Sequence, residues 1–222
     1  MGVKPFAGYA HVLERMDDRL GAEGLVRLLA EGEAEVSRHV FAHVELAGVS
    51  TEDATFEQVV FRDCAFEDVD FSGGTLTDVR FEGCRFISCR MERCWLNRVD
   101  FRSCSAPGVS FLKSRLTSVS ATDCQLRYSD MSEATVRGLR LRACNLTESS
   151  WHAVRLKSVD LADCDLTRAE FVRTPLAGID LTGCRIGGLT VSDDYRELRG
   201  CTIAPDQAVD LIGLLGVRIA ED

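Results

Sequence analysis

Ten cysteines and four histidines are the side chains of this sequence that could hold a soft metal, carry a redox couple or pair a nucleophile with a base. Their spacing argues against all three. His11, His39, His43 and His152 are scattered, and His39 and His43, which could share one helical turn, have no further ligand beside them. Cys64, Cys84, Cys104, Cys124, Cys144, Cys164 and Cys184 recur at every twentieth position without a slip. Such an interval belongs to an architecture, with the thiols as small apolar filler whose burial raises their pKa. No glycine-rich phosphate loop is present, and Gly73-Gly74 and Gly187-Gly188 read as chain corners. No residue is assigned a catalytic, cofactor-binding or metal-binding role. The interior is expected to be too solid for a pocket, and the protein is expected to be no enzyme. An enzymatic alternative would need a cleft between the N-terminal segment and the repeats.

The elements that position these residues follow from a strict period. Taking every fifth residue from Phe41 to Val191 gives 31 positions, of which ten are Phe and twelve are Leu. Only Thr51 is polar; the rest are Met91, Ala106, Ala121, Met131, Val136, Trp151, Ile186 and Val191. Ten of the eleven phenylalanines fall in this one register. Neither a helix of period 3.6 nor a strand of period 2 produces a period of five. Two residues before each large position sits a small one, as in Val59, Cys64, Val69, Gly74, Val79, Cys84, Cys89, Cys94, Val99 and Cys104. Each quintet therefore turns one large and one small side chain inward and presents polar, turn-forming residues outward. The return of cysteine after every fourth quintet predicts a four-sided coil with one quintet per side. Thirty-one quintets make about eight coils, a rod of roughly 37 Å at the usual strand spacing.

Cys164-Asp165-Leu166-Thr167-Arg168, Cys144-Asn145-Leu146-Thr147-Glu148, Val159-Asp160-Leu161-Ala162-Asp163 and Val69-Asp70-Phe71-Ser72-Gly73 resemble the A-(D/N)-L-x-x pattern of the pentapeptide-repeat proteins. The resemblance covers about residues 39–203 and implies an all-β solenoid, a right-handed quadrilateral β-helix. A solenoid needs closed ends. The expected organisation is an N-terminal helical cap over residues 1–38, a β-helix over 39–203 and a C-terminal helix over 204–222. Val12, Leu13, Met16, Leu20, Leu25, Leu28 and Leu29 recur at helical spacing, and Gly21 and Gly24 split them into two short helices. After Val191 the next inward residue is Leu198, seven positions on, so Ser192 to Glu197 should bulge. Pro205 and Asp206 suit a helix start and Gly216 its stop. Ala208, Leu211, Ile212 and Leu215 share one face, leaving Val209, Leu214 and Val217 over. The stretch from Leu198 to Val209 resembles the C-terminal module of the bacterial quinolone-resistance pentapeptide proteins. That likeness implies a homodimer through Val209, Leu211, Ile212, Leu214, Leu215 and Val217; a monomer with a helical lid is the alternative.

A net charge of −9 disfavours direct nucleic-acid binding. No apolar run reaches the roughly 18 residues of a membrane span, and Met1 to Phe6 carries no signal-like segment, so a cytoplasmic protein is expected. Charge is unevenly distributed: residues 39–80 carry net −7, residues 81–142 net +5 and residues 143–203 net −2. Arg98, Arg115, Arg137, Arg155 and Lys157 fall on one side of the square as a basic stripe. Asp160, Asp163, Asp165, Glu170 and Asp180 make the C-terminal coils acidic. Two readings follow. By resemblance, the acidic rod mimics DNA for a type II topoisomerase, DNA gyrase or topoisomerase IV, and confers quinolone protection. The unbroken register lacks the loops of the plasmid-borne proteins, which points to the loop-free mycobacterial type. Alternatively, the chain is a scaffold or regulator that docks an unrelated protein through its outer faces.

Overall fold

The five-residue period is executed by the backbone at its corners. Every fifth residue from Arg38 to Gly188, except Gly183, has a positive φ, and most of these residues are not glycine. Each lies two positions after an inward side chain and turns the chain onto the next side. The corner N–H bonds a carbonyl of the next coil, as in Arg38 N to Glu57 O at 2.9 Å and Arg168 N to Gly187 O at 2.9 Å. Of the expected corner glycines, Gly73 and Gly188 turn the chain. Gly74 instead occupies an inward small position, where a Cβ would press on the carbonyl oxygens of Phe71 and Ala54 at 2.9 and 3.0 Å. Gly187 instead precedes its corner residue, Gly188.

The computed structural model describes residues 8–13, 16, 20–30 and 34–217; the parts of the expected caps at 1–7 and 218–222 lie outside the described residues. Helix α1 (Ala22–Ala30) precedes a parallel solenoid in which Arg115 pairs with Thr135 and Thr135 with Arg155, each partner twenty positions on. Its first two coils contribute β1 (Glu35–Ser37), β2 (Val40–Ala42), β3 (Glu45–Ala47), β4 (Thr55–Glu57), β5 (Val60–Arg62) and β6 (Ala65–Glu67). Then β7 (Thr75–Glu82), β9 (Trp95–Arg102), β10 (Arg115–Thr122), β11 (Thr135–Arg142) and β12 (Arg155–Ala162) each run across a corner, with β8 (Arg85–Ile87) between the first two. The longest ladder runs β1-β4-β7-β9-β10-β11-β12, in which β1 begins at Glu35 and β12 at Arg155. Regular ladders thus extend through about six turns, fewer than the eight expected. Beyond β12 the coils join through single bridges such as Asp165 to Arg185 and Glu170 to Thr190.

Identical side chains stack inside. Phe41, Phe61, Phe81 and Phe101 form one column with ring centroids 5.0–5.2 Å apart, and Phe66 stacks on Phe86 at 5.0 Å. Rings of adjacent columns meet edge to face, as Phe61 and Phe66 do at 5.4 Å. The buried cysteines are more than filler, because their thiols donate to carbonyls of the preceding coil. Cys84 Sγ reaches Phe61 O at 3.3 Å and Cys94 Sγ reaches Phe71 O at 3.0 Å. Burial pushes the Cys94 thiol up to about 12 and the Cys89 thiol upward as well.

The two ends depart from expectation differently. Leu25 and Leu29 of α1 are buried on the N-terminal end of the core. The earlier of the two expected helices is not formed at residues 8–13, and Leu13 is exposed. There the backbone donates outward instead: Tyr9 N and Ala10 N bond the Asp100 carboxylate at 2.7 and 3.2 Å, and His11 N bonds Asp78 at 2.9 Å. At the other end the predicted bulge is present. Arg196–Leu198 forms a 3-10 turn after Tyr195, and Asp180 pairs with Thr202, two positions beyond the regular offset. Helix α2 (Ala208–Ile212) continues as a 3-10 turn, Gly213–Leu215, that stops at Gly216 with φ 74°. Buried Gln207 closes the last coil, its Nε2 donating to Leu181 O at 2.9 Å and Cys184 O at 2.5 Å.

At the exposed corner Ala153, φ 54°, the Ala153→Gly change should raise stability by about 0.5–1 kcal/mol, since it removes left-handed strain. Gly74→Ala should lower stability by about 1–3 kcal/mol through its two carbonyl contacts. Denaturation midpoints read both. An unfolded thiol ionises near pH ~8.5, well below buried Cys94. The unfolded chain therefore sheds this proton first, and the associated stability is complete below about pH 8.5 and lost as the pH climbs toward 12. Denaturation at pH 8 and pH 10 should show a loss of up to about 2 kcal/mol from this group, which Cys94→Ala removes.

Candidate functional site

Because residues one coil apart eclipse each other, each outer column of the rod is a readable surface. The register places Arg115, Thr135 and Arg155 in one column and Thr117, Arg137 and Lys157 in the column beside it. Adjacent rungs lie about 4.8 Å apart. Arg115, Arg137, Arg155 and Lys157 are exposed and have no ion pair among the described residues. Arg98 differs from the other members of the stripe. Its guanidinium bonds Asp78, one rung below, through two contacts of 2.8 and 2.7 Å. Burial opposes ionisation of Asp78, but Arg98 and the His11 N–H outweigh it and hold the carboxyl below its usual value. Trp95, 51% exposed, lies one rung before Arg115 and extends the stripe with an aromatic plane. Its signal in the sequence was present: it stands one residue off the inward register, where apolar residues have no core to enter.

The acids of the C-terminal coils surround the rod instead of lining one side. Asp160 and Asp180 share a column, Asp163 is at the following corner, Asp165 lies on the next side and Glu170 on the side after that. Asp160, Asp163, Glu170 and Asp180 are exposed, and no ion pair involves them among the described residues. Asp165 is half-buried and bonded to Arg185 at 2.6 Å. Burial raises its pKa, but the hydrogen bonds from Thr167 and Arg185 prevail and hold it low. Exposed Asp180 is lowered by the Thr182 N–H at 2.9 Å. Between these columns runs an open polar groove of about 470 Å³ lined by Gln125, Asn145, Asp163, Asp165 and Arg185.

At the C-terminal end α2 buries none of its residues. Val209, Leu215 and Val217 are 54%, 61% and 53% exposed, and Leu211, Ile212 and Leu214 are half-buried. Leu215 therefore joins the uncovered set and Leu214 the covered one, because the Tyr195 hydroxyl holds the Leu214 carbonyl at 2.8 Å. An apolar groove of about 270 Å³ opens beside Tyr195, Leu198, Ile203 and Leu211.

The interior is not fully solid. Where Ala106 and Ala121 replace Phe or Leu, an apolar void of about 40 Å³ remains, edged by Phe101, Met131 and Trp151. That is room for about a water molecule and not for a substrate. Among the described residues no group of three His, Cys, Asp or Glu is placed to hold a metal ion, and no helix is long and apolar enough to cross a membrane.

Comparison with solved structures gives matches of low similarity. HetL, a pentapeptide repeat protein involved in heterocyst differentiation regulation from the cyanobacterium Nostoc sp. strain PCC 7120, is 16% identical, with 83% of this chain and 95% of that chain covered and a TM-score of 0.44. Full-length QnrB1, a plasmid-mediated fluoroquinolone resistance protein, is 21% identical, with 82% and 90% covered and a TM-score of 0.43. A pentapeptide repeat protein of the Arabidopsis thaliana thylakoid lumen is 24% identical, with 49% and 66% covered and a TM-score of 0.27. No curated protein matches significantly in sequence. The family model for nine copies of pentapeptide repeats matches residues 40–95, and that for a pentapeptide repeat region matches 74–151 and 94–171. Together these matches run from residue 40 to residue 171, more than half of the chain and in the register that the coils follow, so the chain belongs to the pentapeptide-repeat proteins.

Proposed function

We propose that this protein is a non-catalytic docking rod that binds a type II topoisomerase, DNA gyrase or topoisomerase IV, as a partial mimic of duplex DNA. Protection of the enzyme from quinolones is the expected consequence. The observation that carries the reading is the set of exposed carboxylates without ion pairs among the described residues, Asp160, Asp163, Glu170 and Asp180, next to the uncovered apolar end at Val209, Leu215 and Val217. A second copy meeting that end through Val209, Leu211, Ile212, Leu214, Leu215 and Val217 doubles the acidic rod about a two-fold axis. A negative rod of that kind complements a positively charged DNA groove. The likeness of Leu198 to Val209 to the C-terminal module of quinolone-resistance proteins supports the same assignment.

The second reading, a scaffold or regulator for an unrelated partner, is favoured by Arg115, Arg137, Arg155 and Lys157. Like charges stacked in adjacent rungs repel unless a counter-surface covers them. The interior void is too small for a substrate, which supports a surface function in both readings.

Supercoiling by purified bacterial gyrase, titrated with this protein with and without a fluoroquinolone, tests the first reading. Inhibition without drug, or restored activity with it, is expected, and Asp160→Lys with Asp180→Lys should abolish the effect. No effect in either arm at concentrations where the protein is folded overturns it. Binding to another partner that is lost in Arg115→Glu with Arg137→Glu would establish the second. Sedimentation equilibrium should give twice the 24.5 kDa chain mass, and Val209→Glu with Leu215→Glu should return it to one chain.

A further inference from the structure

Two carboxylates on the outside of the rod are buried, contrary to the rule that outward positions face water. Asp100 is 0% exposed and Asp78 is 6% exposed. A charge taken from water needs partners, and both find them in the chain's own N-terminal segment. Asp100 accepts from the consecutive backbone N–H groups of Tyr9 and Ala10 at 2.7 and 3.2 Å and from Ser120 Oγ at 2.6 Å, with Arg102 at 3.7 Å. Asp78 accepts from His11 N at 2.9 Å and from Arg98. The segment crosses the coils at the corner where β7, β9, β10 and β11 pass from one side to the next.

Three further features make this corner selective for a sequence pattern. A Cβ at residue 8 would collide with the Asp100 carboxylate, so a side chain there must push that carboxylate off its N–H partners and glycine is favoured. The Arg140 guanidinium lies over the Tyr9 ring, 4.7 Å from its centroid, which suits an aromatic residue. Ala10 is buried, which admits only a small side chain.

We propose that this corner is a binding site for an extended peptide of the pattern glycine–aromatic–small. Its resident occupant is residues 8–11, and the same segment of a second copy of this chain docks there when the resident one is released. Recognition is chiefly through main-chain N–H groups held by Asp100 and Asp78. An occupant tethered in the same chain acts at high effective concentration, so the native protein is latched and a competing segment gains access when the latch opens. The inference is independent of any topoisomerase.

Hydrogen exchange on the full chain should show slowed amides at Tyr9, Ala10 and His11, and fast exchange there in Gly8→Val while β10 and β11 remain protected. A fluorescein-labelled synthetic peptide of residues 6–13 should then bind full-length Gly8→Val at least tenfold more tightly than wild type, read by anisotropy. The same peptide carrying valine in place of Gly8 should not bind. Adding Asp78→Ala and Asp100→Ala to Gly8→Val should abolish binding, with β10 and β11 protection again reporting the fold. Unprotected amides at residues 9–11 in the wild type, or equal binding by wild type and Gly8→Val, or binding indifferent to the two aspartates, would overturn the proposal.

Discussion

The left-handed residue at every fifth position is the constraint on which the rod depends. It costs on the order of 1 kcal/mol wherever the residue is not glycine, and the chain accepts that cost at aspartates, serines and arginines alike. In return most corner N–H groups meet a carbonyl of the next coil. Four quintets then complete one coil, and any residue lies directly over its counterpart in the coil before. Like therefore meets like in the interior. Phe41, Phe61, Phe81 and Phe101 stack because the register sets each ring over its counterpart one coil away, and thiols stack on thiols for the same reason.

The same eclipse organises the surface. Several charges of opposite sign that fall one coil apart pair, as Asp70 does with Arg90, Asp78 with Arg98 and Asp165 with Arg185. Where cations follow one another, as at Arg137 and Lys157, the fold itself holds them together. Exposed pairs contribute little to stability, so the outer columns are free to vary without endangering the core. Function in such a molecule is a matter of which columns carry which charges, and that information is written at every twentieth position of the sequence.

That spacing explains what was legible beforehand. Phenylalanine in one register and cysteine at every twentieth position fix the coil, its four sides and the break before Leu198, because those residues answer to the core. The outer residues answer to nothing periodic. Nothing about Asp78 or Asp100 distinguishes them in sequence from the exposed aspartates around them; their burial comes from a segment far away in the chain that packs on their side. The same contact explains why residues 8–13 are not helical. Val12 and Leu13 belong to a helically spaced apolar set, yet the N–H groups of Tyr9, Ala10 and His11 just before them find carboxylates as acceptors, which hold them more strongly than the neutral carbonyls of an isolated short helix. The void beside Ala106 and Ala121 was visible as two small residues in a register of large ones, but whether the neighbours close over such a gap depends on three-dimensional packing.

The ends of the rod are closed by different means, and the difference bears on assembly. The N-terminal coil is covered by α1, whose Leu25 and Leu29 enter the core. At the last coil Gln207 satisfies two carbonyls beside the half-buried Leu198, Ile203 and Leu211, while Val209, Leu215 and Val217 turn outward. A solenoid with two sticky ends would add copies head to tail without limit. Two copies that meet through the apolar C-terminal end use the same surface on both, and such an isologous contact closes at two. That end therefore admits a closed dimer, even though every coil behind it repeats the one before.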